Sequence, residues 1–268
     1  MNRIDARFQS LRRQGTAAFI PFFTAGDPDP ETTVDLLKRV EEAGADVVEL
    51  GFPYSDPIAD GPTIQDSYHR ALQKGVRVSQ VFDMVRRARA DCELPIVAMA
   101  SYSLVFRMGM SGFMDRCLEA GLDGATVPDL PVDEAEPFFS MANERDFRLI
   151  CFATPATSEH RRNLVVEHAR GFIYYIAVRG ITGERAELPA DLVDNIQSLK
   201  ARTDVPIAVG FGISRPEQAS AVAQRADGVI VGSAIVRRLE AAAEAGEDPV
   251  RAGLDFIRGM ATATKQPS

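Results

Sequence analysis

Short apolar runs alternate with helical patterns along the whole 268-residue chain. The runs fall at 18–23, 46–50, 95–100, 124–127, 148–152, 172–177, 206–209 and 228–231, which makes eight. Most are continuously apolar, as expected for parallel strands covered on both faces. Between them the 3.6-residue period predicts helices, among them 30–43, 111–120, 159–168 and 216–224. Asp29 before Pro30 is a helix-start signal, and the segment 214–217 (Ser-Arg-Pro-Glu) reads as a capping box. A weak repeat, Ala45-Asp46, Leu122-Asp123 and Ala226-Asp227, closes a helix and opens a strand each time. Ahead of the first strand, Ile4, Phe8 and Leu11 mark one face of an additional amphipathic helix. Eight short-looped units fill the length of about 250 residues that a (β/α)₈ barrel needs, so one TIM-barrel domain over 1–268, with an extra N-terminal helix, is expected. An open doubly wound sheet is the competing architecture.

Composition adds mainly exclusions. Hydrophobic residues make up 46% and charged residues 25%, ordinary values for a globular protein. Nothing resembles a membrane span or a signal peptide. The net charge is −8, and Arg86-Arg87 and Arg161-Arg162 fall in predicted helices, which argues against nucleic acid. Cys92, Cys117 and Cys151 lack metal spacing and read as inert thiols in a reducing cytoplasm.

In a barrel, function gathers at the C-terminal strand ends and in the loops that follow. Glu49 ends an otherwise apolar strand, where a carboxylate is costly to bury without a task or partner. Asp60 lies in a loop stiffened by Pro53, Pro57 and Pro62. The pair reads either as acid–base groups or as a solvent-facing strand-end Glu and a turn Asp. Glycines recur after the last three strands: Gly180 and Gly183, Gly210 and Gly212, then Gly232-Ser233 opening a helix. Such loops bring backbone N–H groups and a helix N-terminus to an anion, so a phosphate is expected among Gly183, Gly212, Gly232 and Ser233. Lys38, Lys74, Lys200 and Lys265 fall on predicted helices or the tail, none placed for a Schiff base, and His69, His160 and His168 read as helix-surface residues. Carbon–carbon chemistry here would rest on carboxylates.

The segment 49–65, with Gly51-Phe52-Pro53-Tyr54-Ser55-Asp56-Pro57 and Ala59-Asp60-Gly61-Pro62, closely resembles the signature of the tryptophan synthase α subunit. Thr24-Ala25-Gly26-Asp27-Pro28, Val127-Pro128-Asp129-Leu130-Pro131, Gly180-Ile181-Thr182-Gly183 and the run 209–214 extend the likeness along nearly the whole chain. The resemblance implies a lyase that cleaves indole-3-glycerol phosphate to indole and glyceraldehyde 3-phosphate in tryptophan biosynthesis. It implies no cofactor in this chain and a β-subunit partner carrying pyridoxal phosphate, in a cytoplasmic αββα heterotetramer. By the same resemblance Glu49 carries protons, Asp60 holds the indole N–H, and Tyr174 is an auxiliary hydroxyl, with Tyr175 facing the other way. Phe22, Ile64 and Phe211 pack on the indole; Thr182 bonds Asp60 when a lid from Arg179 to about Pro189 closes. The chain departs from the family pattern at 101–104 (Ser-Tyr-Ser-Leu) and at Ala177, where a serine is usual. The alternatives are a stand-alone lyase without the β partner, a sugar-phosphate isomerase or epimerase, and a dead barrel kept as a regulatory partner.

Overall fold

The computed structural model describes residues 1–177, 191–210 and 212–266. Its strands are β1 (Ala18–Thr24), β2 (Val48–Gly51), β3 (Ile96–Met99), β4 (Gly124–Thr126), β5 (Arg148–Ala153), β6 (Ile173–Ile176), β7 (Ile207–Gly210) and β8 (Gly228–Val231). All neighbours are parallel, and β8 pairs back on β1, closing a barrel in sequence order. The open-sheet alternative is thereby removed. Among the described residues the helices are α1 (Arg3–Gln14), α2 (Pro30–Arg39), α3 (Pro62–Gln73), α4 (Val78–Ala88), α5 (Tyr102–Met108), α6 (Met110–Ala120), α7 (Glu136–Glu144), α8 (Glu159–His168), α9 (Leu192–Lys200), α10 (Pro216–Ala223), α11 (Ser233–Glu244) and α12 (Pro249–Lys265).

Two apolar layers follow from the two-residue period of the strands. Outward residues such as Phe23, Leu50, Ala98 and Val209 join the helices in the main core. Inward residues Ala18, Ile20, Val47, Val97, Ile150, Ala208 and Ile230 fill the barrel. At its N-terminal end α1 inserts Ile4, Phe8 and Leu11 into that inner layer, so the additional helix is a plug. Asn2 fixes the plug: its side chain caps α1 at the Ile4 N–H (2.9 Å) and donates to the carbonyl oxygens of Asp123 (2.9 Å) and Asp146 (2.8 Å).

The aspartate repeat has a physical cause. Asp46, Asp123 and Asp227 each accept a hydrogen bond from the backbone of the preceding strand, at Phe19 (2.8 Å), Ile96 (2.9 Å) and Ile207 (2.9 Å). Each also meets a cation, Lys265, Arg89 and Lys200 respectively. A charge-assisted bond at a strand entrance satisfies an N–H that the ladder leaves open and fixes neighbouring strands in register. Because Asp46 serves this clamp, β2 starts at Val48, later than the apolar run suggested. Helix α2 likewise ends at Arg39, and the chain tightens into i→i+3 bonds such as Gly44 N–H to the Glu41 oxygen (2.9 Å). The expected capping box at α10 is displaced: the Gln218 side chain accepts from the backbone of Ser214 (3.0 Å) and Arg215 (3.1 Å), leaving Glu217 outside it.

One further side chain departs from the sequence reading. His168 is no ordinary surface residue; it stacks on Phe139 at 4.8 Å between ring centroids and lies 3.1 Å from Glu136. Lys265 ends α12 and reaches Asp46 (3.1 Å). The three cysteines are all buried, and burial raises every thiol, Cys151 to about 12. A thiol held protonated is a poor nucleophile.

Candidate active site

Strand β2 delivers Glu49 into the C-terminal mouth of the barrel. It pairs with Phe22 on β1 and Val97 on β3, and the inward turn that points Val47 into the core points Glu49 into the cleft. The loop after β2 brings Asp60 to the same cleft. Gln65, in the first turn of α3, donates to the carbonyl oxygens of Asp60 (2.8 Å) and Pro57 (3.1 Å), so the proline-rich loop is held from behind. Phe22, Ile64, Met99, Tyr174, Ile176 and Ile230 supply the remaining apolar wall, and Gly210, Gly212, Gly232 and Ser233 complete the lining. Gly51 lets these groups converge: a β-carbon there would lie 2.6 Å from the Phe22 ring and 2.8 Å from the Tyr68 hydroxyl.

The two carboxyls differ in setting. Glu49 is 2% exposed, and burial pushes its pKa up to about 7. A hydrogen bond from the Thr126 hydroxyl (2.9 Å) opposes that rise, and the charge of Asp60 adds to it. Asp60 is 5% exposed; burial takes it to about 6, against a hydrogen bond from the Tyr54 hydroxyl (3.0 Å) and with a contribution from Asp129. Burial therefore brings both groups into the range where proton transfer near neutral pH is efficient.

Tyr174 faces inward from β6, its ring against Phe152 at 5.0 Å and its hydroxyl in the space that Gly210 leaves open. Tyr175 points into the outer core, as alternation along the strand requires. Helix α11 begins at Ser233; the Ile235 and Val236 amides donate to the Gly232 carbonyl (2.8 and 3.1 Å), and those of Ser233 and Ala234 precede the first of these internal bonds. Arg70 joins Asp27 (2.8 Å) to Glu240 (2.6 Å), and Arg237 donates to Thr63 (2.8 Å), so α3 and α11 hold the two sides of the cleft at fixed separation.

Of the residues singled out from sequence, the structure brings together Phe22, Glu49, Asp60, Ile64, Tyr174, Gly212, Gly232 and Ser233. Thr182, Gly183, Phe211 and the expected lid lie outside the described residues. Sequence reasoning missed Thr126, Tyr54 and Met99 as site residues. Thr126 had a signal, a hydroxyl at an inward position of an apolar strand; Tyr54 lay within the recognised segment with no role attached.

Ionising a carboxyl in this setting has a cost that folding must carry. Below about 4.5 both folded and unfolded Glu49 are protonated and no penalty exists; it grows as pH rises towards about 7 and is complete above. At about 1.4 kcal/mol per pH unit the full penalty is on the order of 3 kcal/mol. Glu49→Gln is expected to be more stable than the parent at pH 8 by up to that amount, and by less than about 1 kcal/mol at pH 5. Urea unfolding at both pH values checks this; an equal difference at the two would contradict a desolvated Glu49.

Paired carboxyls of raised pKa share one apolar cleft with a glycine-lined helix N-terminus, the groups that an acid–base barrel enzyme of phosphorylated substrates needs. The family model described as tryptophan synthase alpha chain matches residues 8–265. A tryptophan synthase alpha chain of Rhodopirellula baltica is 46% identical over 258 residues, covering 94% of this chain and 93% of that one. That of Caldanaerobacter subterraneus is 45% identical over 239 residues, with 89% and 91% covered. The crystal structure of tryptophan synthase subunit alpha from Legionella pneumophila superposes with a TM-score of 0.92 at 37% identity, over 98% of both chains. The chain belongs to the tryptophan synthase alpha chain family. It is a lyase that cleaves indole-3-glycerol phosphate to indole and glyceraldehyde 3-phosphate, the α reaction of tryptophan biosynthesis. This replaces the isomerase and epimerase alternatives. Membership implies a β-subunit partner, and no described helix is long and apolar enough to cross a membrane.

Proposed function

We propose that Glu49 carries both protons of this cleavage and that Asp60 stabilises the positive ring. The supporting observation is their convergence on one cleft, with Glu49 desolvated and Asp60 held by Tyr54. The bond at indole C3 breaks only once the ring can receive its electrons. Protonated Glu49 first gives its proton to C3, which makes the ring a cation and leaves a carboxylate. Asp60, ionised, accepts the hydrogen bond of the ring N–H. The side-chain hydroxyl then returns a proton to Glu49 as the carbon–carbon bond breaks. Its electrons re-form the aromatic ring, and the former carbinol carbon becomes the aldehyde. Tyr174 assists as a hydroxyl beside the carboxyl pair. Phe22 and Ile64 pack on the ring. The resemblance adds Phe211 to that packing, with Thr182 and Gly183 acting at the lid and the phosphate.

The phosphate belongs at Gly212, Gly232 and Ser233, in the same cleft as the carboxylates, where a helix N-terminus favours an anion. A crystal structure with a non-cleavable indolylalkyl phosphate is expected to place its phosphate within hydrogen-bond reach of the α11 first turn. A phosphate bound elsewhere would remove this assignment.

The β subunit, bearing pyridoxal phosphate in a cytoplasmic αββα assembly, would receive the indole. Ile58 and Phe106 support docking at this end of the barrel. They are 83% and 72% exposed, and they sit on the segments that follow β2 and β3. Large apolar side chains left in water gain from being covered by a partner surface.

A further inference from the structure

We propose that Thr126 is a positioning residue for the reaction, its hydroxyl holding the Glu49 carboxyl in one orientation through both of its protonation states. Thr126 ends β4, and the register carries it beside Glu49: Glu49 pairs with Val97, Val97 with Gly124, and Thr126 follows on the same inward face. Its Oγ1 donates to Glu49 Oε1 at 2.9 Å, and both side chains are buried. Among the described residues this is the one hydrogen bond made by the Glu49 side chain.

The chemistry requires a partner of this kind. Glu49 alternates between acid and carboxylate within one turnover. A hydroxyl rotates freely, so it can donate to Oε1 when that oxygen belongs to the carboxylate and when it is the carbonyl oxygen of the acid. With Oε1 anchored, Oε2 remains the oxygen that exchanges protons with substrate, and the carboxyl need not reorient between the two transfers. A pendulous carboxyl in an apolar cleft would lose that alignment, and misplacement by about 1 Å can cost on the order of 10²-fold.

Other titratable groups facing this pair are Asp60 and Tyr54 on the β2–α3 segment, Tyr68 on α3 and Tyr174 on β6, with Asp129 after β4 acting on Asp60. The neighbouring strands β1, β3 and β8 contribute Phe22, Met99 and Ile230, which do not titrate. Removal of the Thr126 donor is therefore the direct way to perturb Glu49 while leaving the charges around it unchanged.

The test uses the full chain with indole-3-glycerol phosphate, following indole release across pH. Thr126→Val is expected to lower kcat about tenfold or more, to leave KM within about twofold, and to move the Glu49 inflection upward, because the carboxylate has lost a donor. Thr126→Ser, which keeps the hydroxyl, is expected to restore both. An unmoved inflection in Thr126→Val, whatever its rate, would overturn the proposal, as would a serine variant as slow as the valine. The inference rests on Glu49 as proton carrier, and failure of that reading looks different. An active Glu49→Gln sinks the reading itself; an inactive Glu49→Gln beside an unperturbed Thr126→Val sinks only the role of Thr126.

Discussion

Glu49→Gln is expected to reduce indole release by about 10²–10⁴-fold or more, the usual worth of a positioned proton-transfer group, while substrate affinity changes only a few-fold. The amide retains the shape of the side chain and can still accept from Thr126, so the cleft should keep its form. What is lost is the exchangeable proton. Without protonation at C3 the carbon–carbon bond has no electron sink, and no other described acid faces the Glu49 position except Asp60, which is committed to Tyr54 and the ring N–H. Single-turnover indole release and equilibrium binding of substrate should be measured separately. Turnover near that of the parent chain would remove Glu49 from its role; loss of binding together with turnover would mean that the substitution had damaged the site.

Asp60→Asn should cost about 10²–10³ in kcat, the range seen when one preorganised electrostatic contact to a developing charge is removed. The carboxylate balances the cation formed at the ring, and a neutral amide does so poorly in a desolvated cleft. The same pair fixes the pH profile of kcat/KM. Asp60 must be ionised, so activity falls as pH drops through about 6; Glu49 must begin protonated, so activity falls as pH rises through about 7. The expected profile is a narrow bell between those values, with the acidic limb weakened or absent in Asp60→Asn. A profile that instead rises through pH 7 would show that Glu49 starts as a base, and the order of the two proton transfers would have to be reversed.

Stability and activity pull against each other at Glu49. The placement that gives its carboxyl a useful pKa is also a source of instability at neutral pH. The inner layer of the barrel and the α1 plug lie beneath the site, and the aspartate clamps at Asp46, Asp123 and Asp227 secure the strand entrances at the opposite end. The C-terminal end thus carries its buried carboxyls on a rigid support.

Much of this molecule is written locally. Apolar runs of strand length between helical periods specify eight βα units, because a parallel strand covered on both faces has no polar side to alternate. The repeated Asp at the entrances of β2, β4 and β8 was visible as a pattern, though its hydrogen bond to the preceding strand was not. Glu49, out of place in an apolar strand, and the glycines after β7 and β8 pointed to the correct end of the barrel. Sequence alone left Glu49 and Asp60 open between function and ordinary turn chemistry; the likeness over 49–65, not their spacing, favoured the functional reading. What no local pattern could supply were the partners that set the two pKa values. Thr126 lies 77 residues from Glu49 and meets it only because barrel closure and register bring β4 round to β2. Tyr54 reaches Asp60 only because Gln65 folds the intervening loop back on itself. Burial, which raises both carboxyls, belongs to the cleft as a whole and to no single stretch of chain: desolvation is a sum over neighbours, and the neighbours are chosen by the tertiary fold.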